Sequence, residues 1–153
     1  DINDFLCVDQ NESTNNENEL NKNTFIKINE NIKAKLLQVV HLMFEYYLIP
    51  TSVHSKFSAT DIMIQKTYQN TCGFGYHNDD VYTNKRLFSF VLYLNNVDVG
   101  GETKFLHQNI SVKPIEGRLL IFPATYLHIH TGLPPISNNK YIITSFYSDE
   151  GVQ

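Results

Sequence analysis

From Thr24 onward, apolar residues recur at nearly helical intervals: Ile26, Ile28, Ile32, Leu36, Leu37, Val40, Met43, Phe44 and Tyr47. That period predicts one amphipathic helix, capped by Thr24 or Asn29, running to about Leu48 and ended by Pro50, whose ring cannot continue it. Its apolar stripe should pack on a sheet rather than on a separate partner. Past Pro50 the signals become short and strand-like. Ile62 to Tyr68 partly alternates, Leu87 to Leu94 is a Phe/Val/Leu/Tyr run, Leu119 to Phe122 is compact and apolar, and Tyr141 to Tyr147 is β-branched and aromatic. Turn chemistry separates them at Gly73 to Gly75, Asn95-Asn96, Gly100-Gly101, Glu116-Gly117 and Leu133 to Asn139. Several short strands at this spacing predict a sandwich or barrel with one helix laid on it.

Composition changes this picture mainly at the start of the chain. Gln10 to Asn23 is dominated by Asn and Glu and has almost nothing apolar to bury, so residues 1–23 are read as a mobile lead-in to a single domain, 24–153. The 153 residues suit one domain, and nine Tyr and ten Phe supply aromatic mass for a β-rich core. Hydrophobic residues at 42%, charged residues at 18% and a net charge of -4 argue against wholesale disorder and against a basic nucleic-acid binder. Leu36 to Ile49, interrupted by Gln38, His41 and Glu45, falls short of the ~20 residues a bilayer crossing needs. No membrane or nucleic-acid partner is expected, and the oligomeric expectation is a monomer or weak homo-oligomer.

Asp1 to Asn23 lacks the basic start and apolar run of a secretory signal, and the missing initiating Met suggests a fragment of a longer chain. Cys7 and Cys72 are too few for a disulfide scaffold and lack metal-ligand spacing. Two reduced thiols, and hence a cytoplasmic setting, are the expectation, with a single disulfide as the alternative.

Candidate chemistry begins at His77-Asn78-Asp79. On extended backbone, residues two apart share a side, so His77 and Asp79 can aim an imidazole and a carboxylate at one point. A second histidine could come from Leu127-His128-Ile129-His130, where His128 and His130 share a face and spacing does not choose between them. His41, His54 and His107 lack a comparable setting. Two His and one carboxylate on one side of a metal leave positions open, an arrangement suited to non-haem Fe(II) oxygen chemistry.

A wider series of residues makes the reading specific. Tyr68, His77-Asn78-Asp79, Arg86, Tyr93-Leu94-Asn95, Gly100-Gly101-Glu102-Thr103-Lys104-Phe105, Pro114, Gly117-Arg118, Phe122-Pro123, His130-Thr131-Gly132 and Lys140 stand in an order that resembles the Fe(II)/2-oxoglutarate-dependent dioxygenases, particularly their compact prolyl 4-hydroxylase-like branch. The resemblance covers about Ile62 to Tyr147. It implies a jelly-roll double-stranded β-helix, mainly β with a flanking helix, and oxidative decarboxylation of 2-oxoglutarate to succinate and CO2 coupled to substrate hydroxylation by O2. In the family's pattern Gly stands two residues, and Lys or Arg ten residues, after the distal iron ligand, offsets that from His130 reach Gly132 and Lys140.

The resemblance therefore implies His77, Asp79 and His130 as Fe(II) ligands and leaves His128 as a neighbouring residue. It implies Lys140 and Tyr68 as partners of the distal carboxylate of 2-oxoglutarate, with Thr144, on the same strand face as Lys140, adding a hydrogen bond. Ascorbate is the expected supporting reductant. The implied substrate is a peptidyl proline, recognised by Ser52 to Thr60, Gly73 to Gly75 and Val81 to Lys85. A free amino acid or small metabolite, a cupin-like hydrolase or isomerase using the same triad, and a noncatalytic jelly-roll binding module are the competing readings.

Overall fold

The computed structural model describes residues 24–27, the helical positions 31, 34–36, 38, 39, 42 and 46, and residues 57–59, 62–80 and 86–149. Among these described residues ten strands follow in chain order: β1 (Thr24–Lys27), β2 (Phe57–Ala59), β3 (Met63–Thr67), β4 (Phe74–His77), β5 (Arg86–Tyr93), β6 (Thr103–Phe105), β7 (Ile110–Val112), β8 (Leu119–Pro123), β9 (His130–Gly132) and β10 (Lys140–Asp149). They form two antiparallel sheets, one ordered β1-β3-β10-β5-β8 with β2 also paired to β10, the other β4-β9-β6-β7. This is the expected jelly-roll, or double-stranded β-helix, architecture.

Strand β5 shows why the larger sheet forms. Its sequence Arg-Leu-Phe-Ser-Phe-Val-Leu-Tyr is apolar on both sides, and both sides are covered. Phe88, Phe90 and Leu92 join Ile64, Ile143, Tyr147 and the helical Leu36 in one cluster. Val91 and Tyr93 belong to a second cluster with Phe105, Phe122 and Ile142, which fills the space between the sheets. Leu36, at a helical position, thus packs on one face of the large sheet, and the pocket described below opens on the other.

Two expectations are corrected. Thr24 to Lys27 does not begin the helix: it is a strand, paired residue for residue with β3 from Thr24↔Lys66 to Lys27↔Met63. Four residues cannot distinguish a helical from an alternating period, and the open hydrogen-bonding edge of β3 decides the outcome. The helical conformation is seen further on, at the positions given above; the predicted stop at Pro50 and the lead-in 1–23 lie outside the described residues. The second correction concerns Cys72, which is disulfide-bonded rather than a free thiol. The chain's other cysteine, Cys7, lies outside the described residues.

Gly100 and Gly101 make the turn into β6, each with φ +76°, a left-handed conformation that side chains resist. A Cβ on Gly100 would also collide with the Pro134 carbonyl oxygen. The Gly-Gly pair is therefore structural, as its sequence suggested.

Candidate metal centre and adjoining pocket

Strands β4 and β9 are antiparallel neighbours, and their register sets His77 directly opposite His130. Residues so paired present their side chains on the same face. Thr131 ties the two strands further by donating its hydroxyl to the Phe74 carbonyl. Beyond His77 the chain hangs on the end of β8, where the backbone N–H groups of Asp79 and Asp80 both donate to the Ala124 carbonyl, at 3.2 and 2.9 Å. That anchor swings the Asp79 carboxylate between the two rings. Its Oδ1 is 3.4 Å from His77 Nε2, and its Oδ2 is 3.6 Å from His130 Nε2. One potential ligand atom from each residue lies within 4.8 Å of the others.

The remaining ring nitrogens show that these donors suit a metal ion. His77 Nδ1 meets the Gly75 carbonyl at 2.7 Å, and His130 Nδ1 meets the His128 carbonyl at 3.0 Å. A carbonyl can only accept, so each Nδ1 carries a proton, which leaves each Nε2, turned to the centre, as the nitrogen that can give a lone pair to a metal once it is deprotonated. Ser89 donates to Asp79 Oδ2 at 2.5 Å, holding the carboxylate in place. The donor set, two imidazoles and one carboxylate, is that of a site with open positions for further ligands.

Electrostatics differ between the two histidines. Burial pushes His130 down from its ordinary pKa more strongly than Asp79 pulls it up; its ring sits between Phe122, centroid 4.7 Å away, and Phe105, 5.7 Å away. Burial acts in the same direction on His77, but there the Asp79 hydrogen bond and charge and the Gly75 carbonyl outweigh it, and the net shift is upward. For Asp79, burial raises the pKa, whereas His77, His130 and the Ser89 hydroxyl lower it further. The carboxylate is held ionised.

The triad forms one end of a cavity of ≈ 240 Å³ lined also by Gln65, Thr103, Lys140 and Thr144 and by apolar walls including Phe74, Val91 and Ile142. Alternation along β10 turns Lys140, Ile142, Thr144 and Phe146 inward. Lys140 is 3% exposed and donates to the Gly101 carbonyl at 3.2 Å. No ion pair joins it to a carboxylate among the described residues. Burial pushes its pKa down to about 8, although Glu102 opposes the drop. An ammonium placed so deep without a carboxylate is suited to an anionic ligand.

Of the six residues singled out from sequence, five meet in this pocket: His77, Asp79, His130, Lys140 and Thr144. Tyr68 does not. It lies just past β3, 36% exposed, with the Lys66 ammonium 4.1 Å from its ring centroid. The residue opposite Lys140 is Thr67, one position earlier, because alternation along β3 turns Met63, Gln65 and Thr67 to that side. His128 contributes its carbonyl to His130, and its half-buried ring lies edge-on to Phe105. His107 is exposed in the β6–β7 turn, while His41 and His54 lie outside the described residues.

Sequence reasoning missed Ser89 and Gln65. Ser89 could have been found as the one polar residue within Leu87-Phe88-Ser89-Phe90-Val91-Leu92, since a hydroxyl in a strand buried on both faces needs a partner. Gln65 carried no such signal, because it opens the polar stretch Gln65-Lys66-Thr67 and does not stand alone in an apolar run.

A family model described as the 2OG-Fe(II) oxygenase superfamily matches residues 63–148. Among solved structures, a viral collagen prolyl hydroxylase from Paramecium Bursaria Chlorella virus-1, determined with 2OG, superposes with a TM-score of 0.71 at 17% identity, covering 84% of this chain and 80% of that one. A Trichoplax adhaerens prolyl hydroxylase, solved with a hypoxia inducible factor oxygen degradation domain peptide fragment, gives 0.67 at 24% identity over 88% of this chain and 66% of that one. A Pseudomonas putida prolyl-4-hydroxylase gives 0.62 at 17% identity, covering 85% and 71%. At these identities the likeness is one of fold. A search of curated proteins finds no match.

Proposed function

The chain belongs to the 2OG-Fe(II) oxygenase superfamily, and from that premise we propose that it hydroxylates a peptidyl proline, with His77, Asp79 and His130 holding Fe(II) and Lys140 and Thr144 holding the distal carboxylate of 2-oxoglutarate. It is a 2-oxoglutarate-dependent dioxygenase, and its family implies Fe(II), 2-oxoglutarate and O2. The observation that carries the residue roles is the meeting of three metal-ligating atoms and one buried ammonium in a single small cavity.

Bound Fe(II) supplies dioxygen activation: 2-oxoglutarate loses CO2 to become succinate, one oxygen atom enters the succinate, and the other enters a substrate C–H bond. The protein's part is positional. The Gly75 and His128 carbonyls hold the two imidazoles in one tautomer, and Ser89 restrains the Asp79 carboxylate. Lys140 pairs with the distal carboxylate, and Thr144, four residues further on the same inward face, offers a hydroxyl. Phe74, Val91, Ile142 and Phe146 keep water from the space between those ends.

The cavity is small, ≈ 240 Å³, and the His77 side chain at its metal end is 42% exposed, so a substrate larger than one side chain can extend outside it. Three structural neighbours are prolyl hydroxylases, and one of them was solved with a peptide. The test is mass spectrometry of a proline-containing peptide library incubated with enzyme, Fe(II), ascorbate and 2-oxoglutarate. A one-oxygen gain on proline is expected; succinate formation with every peptide unmodified would refute the prolyl assignment.

A further inference from the structure

Gln65 faces the pocket yet has no task in the reaction described so far. It is 4% exposed, and its amide nitrogen has no hydrogen-bond partner. A buried donor without an acceptor costs roughly 1–3 kcal/mol, a penalty that a strand residue avoids by turning its amide to solvent or to a neighbour. Gln65 does neither.

The register of β3 against β10 shows what lies beside it. Thr67 pairs with Lys140, Gln65 with Ile142, and Met63 with Thr144. Directly opposed residues share a face, so Gln65 stands on the pocket wall between the Lys140 and Thr144 rows. Thr67, 1% exposed, also has a hydroxyl without a partner. The wall therefore holds a buried ammonium flanked by two unsatisfied polar groups. A single apolar ligand would leave the amide, the hydroxyl and the ammonium's charge unmet, whereas a carboxylate, with about four acceptor sites on two oxygens, can accept from several donors at once.

We propose that Gln65 is a co-substrate-binding residue whose amide nitrogen donates to the distal carboxylate of the dicarboxylate held by Lys140. This rests on the 2-oxoglutarate reading above and adds a donor from β3 to those on β10. The carboxylate is then gripped from two strands, which helps the pocket select a dicarboxylate over a 2-oxo monocarboxylate of equal length.

The test is anaerobic calorimetric titration of the Fe(II) protein with 2-oxoglutarate and, separately, with 2-oxopentanoate, which lacks the distal carboxylate. Wild type is compared with Gln65→Met, Gln65→Glu and Lys140→Met, and the melting temperature of each ligand-free variant is measured. Gln65→Met removes the donor at similar length, so 2-oxoglutarate affinity should fall about tenfold, 2-oxopentanoate affinity should hold, and the melting temperature should stay level or rise. Gln65→Glu, which sets a carboxylate against the ligand's own, should weaken 2-oxoglutarate binding more than Gln65→Met does. Loss of both ligands in parallel with a lowered melting temperature would mark Gln65 as merely structural and overturn the proposal. Unchanged 2-oxoglutarate binding in both Gln65 variants, with Lys140→Met impaired, would overturn it while leaving the co-substrate reading intact. Failure of wild type to bind 2-oxoglutarate would overturn both.

Discussion

Replacing Lys140 by Met should strengthen the ligand-free protein and weaken its grip on 2-oxoglutarate, two effects of opposite sign from one cause. The lysine is 3% exposed, and burial takes its pKa from 10.5 to about 8. Holding it charged at neutral pH therefore costs the folded state roughly 3 kcal/mol. Between pH 8 and 10.5 the unfolded chain binds this proton and the folded one does not, so ligand-free stability rises with pH across that window and carries the full cost below it. Lys140→Met removes the charge at similar length and forfeits the hydrogen bond to Gly101, worth about 1 kcal/mol. A net gain of roughly 2 kcal/mol at pH 7, falling through zero before pH 10.5 and turning into a loss of about 1 kcal/mol above it, is expected by denaturant titration.

The ligand effect is larger. Truncating one partner of a buried charge pair costs about 2–5 kcal/mol, or roughly 30- to 5,000-fold in affinity. In wild type the affinity should also fall as pH rises above 8, by up to about tenfold per pH unit, because Lys140 must then take up a proton on binding. The variant should show no such dependence. Anaerobic calorimetry between pH 7 and 9.5 measures both slopes. A variant that binds 2-oxoglutarate within twofold of wild type, or a wild-type affinity that is flat across this range, would refute the role given to Lys140.

Two further outcomes follow from the geometry. Ser89→Ala removes the donor at 2.5 Å from Asp79 Oδ2 and should lower Fe(II) affinity by about 10- to 100-fold with little change in melting temperature, read by competitive metal titration. Gly100→Ala forces a Cβ into a φ of +76° against the Pro134 carbonyl and should cost at least ~2 kcal/mol, a drop of roughly 5 °C or more in thermal unfolding; unchanged melting would contradict the structural role of that turn.

Much of the candidate metal centre was legible in the chain because its residues are close in sequence or marked by spacing. His77 and Asp79 are two apart, and Gly132 and Lys140 follow His130 at the family's offsets. Tyr68 lies outside the cavity for an instructive reason. It was chosen by its distance from His77, but a strand alternates sides, and a one-residue difference in register turns a side chain from the pocket to the outer face. The helix boundary failed at Thr24 because a free strand edge, not local preference, decided how those four residues pair. Cys72 was expected reduced because pairing depends on which segments meet, and spacing along the chain does not report that.

Local pattern thus determined the kinds of element, the covered strand β5, the Gly100-Gly101 turn and the donor types for a metal, since each follows from side-chain period, backbone freedom or ligand chemistry within a few residues. Tertiary structure alone decided that His77 faces His130, that Ser89 reaches Asp79 and that Gln65 and Thr67 flank Lys140. These are contacts between one strand and another, or a strand and the loop beside it, and not along a single element. Their register is set by the joint packing of two sheets, a property that no single stretch of sequence carries.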